Sequence, residues 1–282
     1  MRDITLFVVI LLACSPTKAS DRGYATSLDG TLWLVDFTTL SSTSIGNTGV
    51  VFQGIAQRSD GVLFGASTTG LLYTINTSNA TASLIGDTTL SHIEALDFKG
   101  SVLIGVEFSQ TSPVYAFDQT NALPTFLVSP SLGIGTVRAA ATLDFNTLRA
   151  RGDSLSPTLY DIDLNDGTTS TFKISDSFLN MFGMDFINSR LYGVGDNGKL
   201  FSINTVSGNP TIIGDTGNQF YISLTAVVPE PSTSAMLITF CLLTGVCRKP
   251  RIPHISFPKT KSIPPAPLAA IPFRAVGNRD DP

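Results

Sequence analysis

The feature that most constrains this chain is an internal repeat, which should be sought before any other pattern. Leu63-Phe64-Gly65-Ala66 recurs forty residues later as Leu103-Ile104-Gly105-Val106 and returns as Leu191-Tyr192-Gly193-Val194. Leu148-Arg149-Ala150-Arg151 is a degenerate copy. A second run follows each: Gly70-Leu71-Leu72-Tyr73-Thr74-Ile75-Asn76, Pro113-Val114-Tyr115-Ala116-Phe117-Asp118, Thr158-Leu159-Tyr160-Asp161-Ile162-Asp163 and Lys199-Leu200-Phe201-Ser202-Ile203-Asn204, with Gly30-Thr31-Leu32-Trp33-Leu34-Val35-Asp36 as the earliest copy. A third run reads Ile45-Gly46-Asn47-Thr48, Ile85-Gly86-Asp87-Thr88 and Ile213-Gly214-Asp215-Thr216. A fourth precedes the Leu-aromatic-Gly element: Gly54-Ile55-Ala56, Ala95-Leu96-Asp97-Phe98, Thr142-Leu143-Asp144-Phe145 and Gly183-Met184-Asp185-Phe186.

Each unit is thus about 40 to 45 residues long with four short strand-like runs, the pattern of one propeller blade. The runs are rich in β-branched and aromatic residues, and Gly, Asn, Asp or Ser marks the joins. Asp60-Gly61 and Asn197-Gly198 are hairpin-turn dipeptides. No long stretch has capped helical periodicity. The earliest copy lacks a strand of the fourth type, and the repeat region ends on a lone one, Tyr221 to Val227. A ring can use that strand to complete the first blade and protect the sheet edges. The expected fold is all-β, a propeller of about five four-stranded blades over residues 26–227, closed by its C-terminal strand. An open solenoid or a sandwich is the alternative, and would leave the last strand without an obvious partner.

The two ends have a different character. Residues 1–25 read as an export signal, with Arg2 in the n-region and Ile4 to Ala13 as a short apolar core. Ala19 before Ser20 suits signal peptidase, and Gly23-Tyr24-Ala25 is a second site. Leu11-Leu12-Ala13-Cys14 instead resembles a lipobox, which would make a lipidated Cys14 the mature N-terminus. Near the other end, Val228-Pro229-Glu230-Pro231-Ser232 precedes an apolar segment from Ala235 to Cys247, and Arg248, Lys249 and Arg251 follow. That order is a proline-stiffened spacer, a single transmembrane helix and a positive stop that favours the cytoplasmic side. The apolar segment is short, about 20 Å as a helix.

This arrangement over 228–251 resembles the PEP-CTERM sorting signal of bacterial envelope proteins. The resemblance implies that an exosortase-type membrane peptidase recognises and removes the tail. It departs from the usual pattern in continuing after the basic cluster: residues 248–282 hold eight Pro, seven Lys/Arg and two Asp. Residues 252–282 have the composition of a disordered, polyproline-like basic tail. The repeat elements themselves resemble a loose family of extracellular propeller-like proteins, which implies a fold and almost nothing about activity.

Composition narrows function further. Net charge is -4, which argues against a nucleic-acid partner. The repeat region 26–229 carries eight Lys/Arg against seventeen Asp/Glu, a net charge of -9. It has no Cys, since Cys14, Cys241 and Cys247 lie in the two ends, so no disulfide can staple it. His92 is its only histidine, and no nucleophile motif accompanies it. Asp161-Ile162-Asp163-Leu164-Asn165-Asp166-Gly167 fails as a calcium loop, having Asp166 where Gly is needed and Phe172 where Glu is needed. Arg151-Gly152-Asp153 matches an adhesive tripeptide only at chance level. Asp97, Asp144 and Asp185 read as one repeat position, which suits a turn or blade-to-blade hydrogen bond better than one active site. No residue set points to a metal or cofactor. The reading is an exported, surface-sorted binding or structural protein whose ligand is a glycan or a protein. The rival is a secreted glycosidase or lyase using acids such as Glu94 or Glu107.

Overall fold

The computed structural model describes residues 21–228 apart from 132, 154–156, 175–179 and 218. The signal region up to Ser20, the sorting motif from Pro229 onward, the apolar segment, the basic cluster and the tail lie outside the described residues.

Among the described residues, twenty strands form five four-stranded antiparallel sheets, a five-bladed β-propeller. The first blade runs outward from β20 (Tyr221–Ala226) through β1 (Arg22–Ser27), β2 (Thr31–Asp36) and β3 (Ser41–Asn47). The second holds β4 (Phe52–Gln57), β5 (Leu63–Ser67), β6 (Leu71–Ile75) and β7 (Ala82–Asp87). The third holds β8 (Ile93–Lys99), β9 (Val102–Glu107), β10 (Val114–Phe117) and β11 (Pro124–Val128). The fourth holds β12 (Val137–Thr142), β13 (Thr147–Gly152), β14 (Thr158–Asp163) and β15 (Thr169–Ile174). The fifth holds β16 (Met181–Ile187), β17 (Arg190–Gly195), β18 (Lys199–Ile203) and β19 (Pro210–Asp215).

The C-terminal strand does complete the first blade, but one strand lies between it and residues 31–36. β20 pairs with β1, with Gly23 opposite Ala226 and Ala25 opposite Leu224, and β1 pairs with β2. The first blade thus draws on residues ahead of 26, since β1 spans Arg22–Ser27. Asp21 is buried and accepts hydrogen bonds from Asn188 Nδ2 (2.8 Å) and Tyr192 Oη (2.8 Å), with Arg190 Nη1 at 3.2 Å. These contacts tie the start of the ring to its last blade.

Each blade packs on both neighbours, so both faces of every sheet are apolar. Leu63 joins the core shared with the first blade, while its neighbour Phe64 joins the core shared with the third. Leu191 and Tyr192 divide in the same way between the fourth and first blades. The degenerate copy obeys the same rule differently. Leu148 and Ala150 stay in an apolar core, whereas buried Arg149 makes a bidentate pair with Asp161 (2.7 and 2.9 Å) and covers the Phe172 ring at 3.6 Å.

The Ile-Gly-x-Thr element has a geometric cause. In the outer pairing the residue before the Gly is skipped: Leu72 opposes Gly86 and Tyr73 opposes Leu84, leaving Ile85 to pack into the core. Gly86 then abuts the next blade's turn, where an added Cβ would stand 2.6 Å from the Asn121 carbonyl. The Thr closes the unit, since Thr88 Oγ1 donates to the Gly70 carbonyl at 2.6 Å and Thr48 Oγ1 to that of Gly30 at 2.8 Å. The Asn or Asp after the second run nucleates an Asx turn. Asn76 Oδ1 accepts from Ser78 N, Asp118 Oδ1 from Thr120 N and Asp163 Oδ1 from Asn165 N.

Five inner strands around one axis leave little room. A Cβ on Gly54 would stand 2.7 Å from Leu96 N, and one on Gly183 would stand 2.5 Å from the Ser223 carbonyl carbon. The same register position holds Ala95, Ala139 and Ser223 in the other blades. Gly183→Val should therefore destabilise the full-length chain by about 3 kcal/mol, read as a lowered urea midpoint. The same substitution at exposed Gly133, where an added Cβ would meet nothing within 4 Å and φ is not in the left-handed region, is the control for general surface effects.

Candidate functional site

The inner strands share a second irregularity, and it builds the mouth of the axial channel. Each carries a β-bulge at the same place. Phe52 opposes Ser67 and Gly54 opposes Ala66, so Gln53 has no partner across the ladder. The equivalent residues are Glu94, Arg138, Phe182 and Ile222. Bulges bend a strand and re-aim a side chain, and they recur beside functional sites. Below the mouth the channel is lined by all five inner strands and encloses about 10 Å³, enough for roughly one water.

Two of the five bulged residues carry opposite charges and meet. Arg138 Nη1 donates to Glu94 Oε1 at 3.2 Å, and Arg138 Nε donates to Asp153 Oδ2 at 2.9 Å. Asp153 Oδ1 also lies 2.9 Å from Arg151 Nη2. Glu94 Oε2 stands 3.0 Å from His92 Nε2, and the His92 ring stacks on Phe108 at 4.9 Å. Phe108 in turn lies 5.1 Å under the Arg138 guanidinium. Burial works against the Arg138 charge, but Asp153 and Glu94 outweigh it and raise its pKa. Glu94 and Arg151 are both buried. Each is paired with a partly exposed partner, Arg138 for Glu94 and Asp153 for Arg151, and losing that partner would leave a buried charge uncompensated.

The residues singled out in the sequence fall into distinct places. His92 and Glu94 belong to the mouth. Glu107 lies on β9 opposite Ile93, and Tyr115 Oη donates to its Oε2 at 3.4 Å. Arg151-Gly152-Asp153 is not displayed as an adhesive loop, because Arg151 is only 2% exposed. Asp161 and Asp163 serve different partners, Arg149 and the Asn165 amide.

The three aspartates read as one repeat position separate into two groups. Asp97 and Asp185 do share a position, opposite Ile104 and Tyr192 in their ladders. Each bridges to the following blade: Asp97 Oδ2 accepts from Thr142 N, and Asp185 Oδ2 accepts from Ala226 N at 2.6 Å. Thr225 Oγ1 fills the role in the first blade, accepting from Gln57 N at 3.2 Å. Asp144 is different. The equivalent residue of the fourth blade is Ala141, opposite Arg149, and Asp144 lies three residues on in the turn, where it accepts from Asn146 N and Thr147 N. The apparent alignment on Leu143-Asp144-Phe145 was a coincidence of composition.

Burial pushes the Asp97 and Asp185 carboxyls above the ordinary carboxylate range, and for Asp185 the charge of Asp97 adds to it. A folded-state pKa raised above the unfolded one favours the fold where the proton is kept. That contribution is complete at low pH and is lost as pH rises through the raised range. Relative to Asp185→Asn, the wild type should lose on the order of 1 kcal/mol of stability between pH 4 and pH 7.5. Parallel urea melts at the two pH values measure this, and a gap independent of pH would contradict it.

A second concavity lies where the two ends of the ring meet. Ser27, Leu28, Asp29, Trp33, Gln219 and Phe220 line a groove of about 540 Å³. Its sides are joined by Leu28 N donating to the Phe220 carbonyl at 3.1 Å. Sequence reasoning missed both this groove and the roles of Arg138, Phe182, Gln53 and Ile222. The one available signal for the mouth was position, each residue standing directly before the small residue of an inner strand.

No protein-family model matches the chain, and no curated protein matches it. Solved structures do. A chain in the crystal structure of a nidogen/laminin complex is similar in fold, with a TM-score of 0.54 and 10% identity, over 73% of this chain and 98% of that one. A 6-phosphogluconolactonase candidate from Bacteroides fragilis aligns with a TM-score of 0.46 and 10% identity over 76% and 99% of the two chains. The WD40 propeller domain of Doa1 aligns at 0.41 and 11% identity, over 72% and 67%. At such identities the likeness to the nidogen/laminin chain establishes the propeller fold alone.

Proposed function

We propose that this chain is an exported, surface-sorted bacterial propeller, a non-catalytic binding or structural component of the cell envelope or exopolysaccharide matrix. The observation that carries the non-catalytic reading is the state of the channel mouth. The channel below it holds roughly one water, and Glu94 at the mouth is engaged by Arg138, with His92 Nε2 alongside at 3.0 Å. A glycosidase needs two carboxyl groups flanking a bond in an open cleft. Ligands therefore meet the rim of the ring and do not enter it.

Export and sorting rest on the terminal sequences. A cut between Ala19 and Ser20 suits the fold, because it leaves Asp21 and all of β1 in place. A cut after Ala25 would remove Arg22 to Ala25, which pair with both β2 and β20. Cleavage before Cys14, with lipidation, is equally compatible with an intact first blade. At the other end Val228 N donates to Gln57 Oε1 at 2.6 Å, so the chain leaves the second blade immediately before Pro229-Glu230-Pro231. An exosortase-type peptidase acting there would release the propeller without disturbing a strand.

Mass spectrometry of the surface product should find a C-terminus ahead of Arg248. A surface product that retains residues 252–282 overturns the sorting reading. The rival, a glycosidase or lyase, predicts turnover of a polysaccharide panel that disappears with Glu107→Gln. No turnover above blank is the expected result.

A further inference from the structure

We propose that the groove at the ring's closure seam binds an uncharged sugar unit of a glycan. This rests on the binding-module reading above and deepens it by naming a ligand class and a place. The volume, about 540 Å³, lies within the range of roughly 300–1,000 Å³ usual for small-molecule sites.

The lining has two chemical halves. Trp33, Phe220 and Leu28 supply apolar surface, and Phe220 and Leu28 are 39% and 55% exposed. Asp29, Gln219 and Ser27 supply polar groups. A sugar ring matches this division, with an apolar face of C–H groups and a rim of hydroxyls. Trp33 is already positioned: its Nε1 donates to Ser27 Oγ at 2.9 Å, and its ring stands edge-on to Tyr221 at 6.3 Å. Ser27 Oγ donates in turn to Asp29 Oδ1 at 2.6 Å, and Thr31 N donates to the same oxygen at 3.0 Å. A fixed aromatic ring loses little conformational entropy when a ligand stacks on it. Gln219 adds an amide to the polar side of the lining.

Charge decides which sugars fit. Among the described residues no Lys or Arg lines the groove. The hydrogen bonds from Ser27 and Thr31 lower the Asp29 pKa, so its carboxylate is ionised at neutral pH. The repeat region carries a net charge of -9. Uronate, sulfate and phosphate groups would meet repulsion with no cation to offset it. A neutral glycan is therefore favoured over an acidic one, and over a phosphate-bearing ligand.

The chain has a single Trp, so intrinsic fluorescence reports directly on this groove. Purified full-length protein in a sugar-free detergent is titrated with malto-, cello- and manno-hexaose, with oligogalacturonate as the acidic arm. The expected result is a saturable change in Trp33 emission with at least one neutral hexasaccharide and none with oligogalacturonate. Phe220→Ala and Asp29→Asn should each weaken that binding about tenfold, read at a temperature where the melting curve of each variant shows it folded. No response to any neutral hexasaccharide, or response only to the acidic oligomer, overturns the assignment. So does full affinity in Phe220→Ala. Retention on a glycan array by both wild type and Phe220→Ala would sink this site while leaving the binding-module reading intact. Loss of all retention in wild type, with a protein partner captured by crosslinking, would sink the glycan ligand itself.

Discussion

The pairing of Tyr221–Ala226 with Arg22–Ser27 is what the rest of this structure depends on. Without it there are four complete sheets and two incomplete fragments, each exposing an unpaired edge beside an apolar face. With it, residues near the two ends of the folded region share one ladder, and every sheet face acquires a neighbour. Five inter-blade cores result, and none needs a disulfide. Closure is reinforced by buried polar contacts, including Asp21 with Asn188 and Tyr192. The hydroxyls of Thr26 and Ser223 also meet across the seam.

Closing a ring with only five blades brings the inner strands together tightly, and the consequences reach the site. Small residues must occupy the narrowest level, so the axis is closed to ligands. The bulges at Gln53, Glu94, Arg138, Phe182 and Ile222 widen the strands just above that level. Gln53, Glu94 and Phe182 line the channel there, and Arg138 links Glu94 to Asp153 between the third and fourth blades. Deeper in, Asp97 and Asp185 spend buried carboxyls on holding the next blade's backbone. These acids serve closure, which is why repeated Asp residues were a poor guide to chemistry.

Much of the fold was legible because the repeat encodes local hydrogen-bond needs. Asn76, Asp118 and Asp163 each start a turn by accepting from the backbone two residues on, and that chemistry reads directly from residue type and spacing. Gly86 and Thr88 were legible as a motif, although the close approach that requires the Gly belongs to the next blade. The site was far less legible. A bulge changes register by one residue and leaves no mark in composition, so Arg138 and Phe182 looked ordinary. Arg22–Ala25 was read as the end of an export signal because Gly23-Tyr24-Ala25 puts small residues where a signal peptidase could cut, and a strand accepts the same residues. Asp144 was placed with Asp97 because an apolar-Asp-Phe triplet recurs, whereas pairing with Arg149 makes Ala141 the true counterpart.

By itself the sequence determined the all-β class, the four-strand unit, its turns and the presence of a lone closing strand. Each of these follows from local preference and short-range hydrogen bonding, which residue type and spacing carry. Only the tertiary structure decided which strand the closing strand pairs with, that the axis is shut, and which side chains meet at the rim. The groove of Trp33 and Phe220 belongs to this second kind. Its two halves lie almost the whole repeat region apart in sequence, and only the hydrogen-bonded closure of the ring brings them within reach of one ligand.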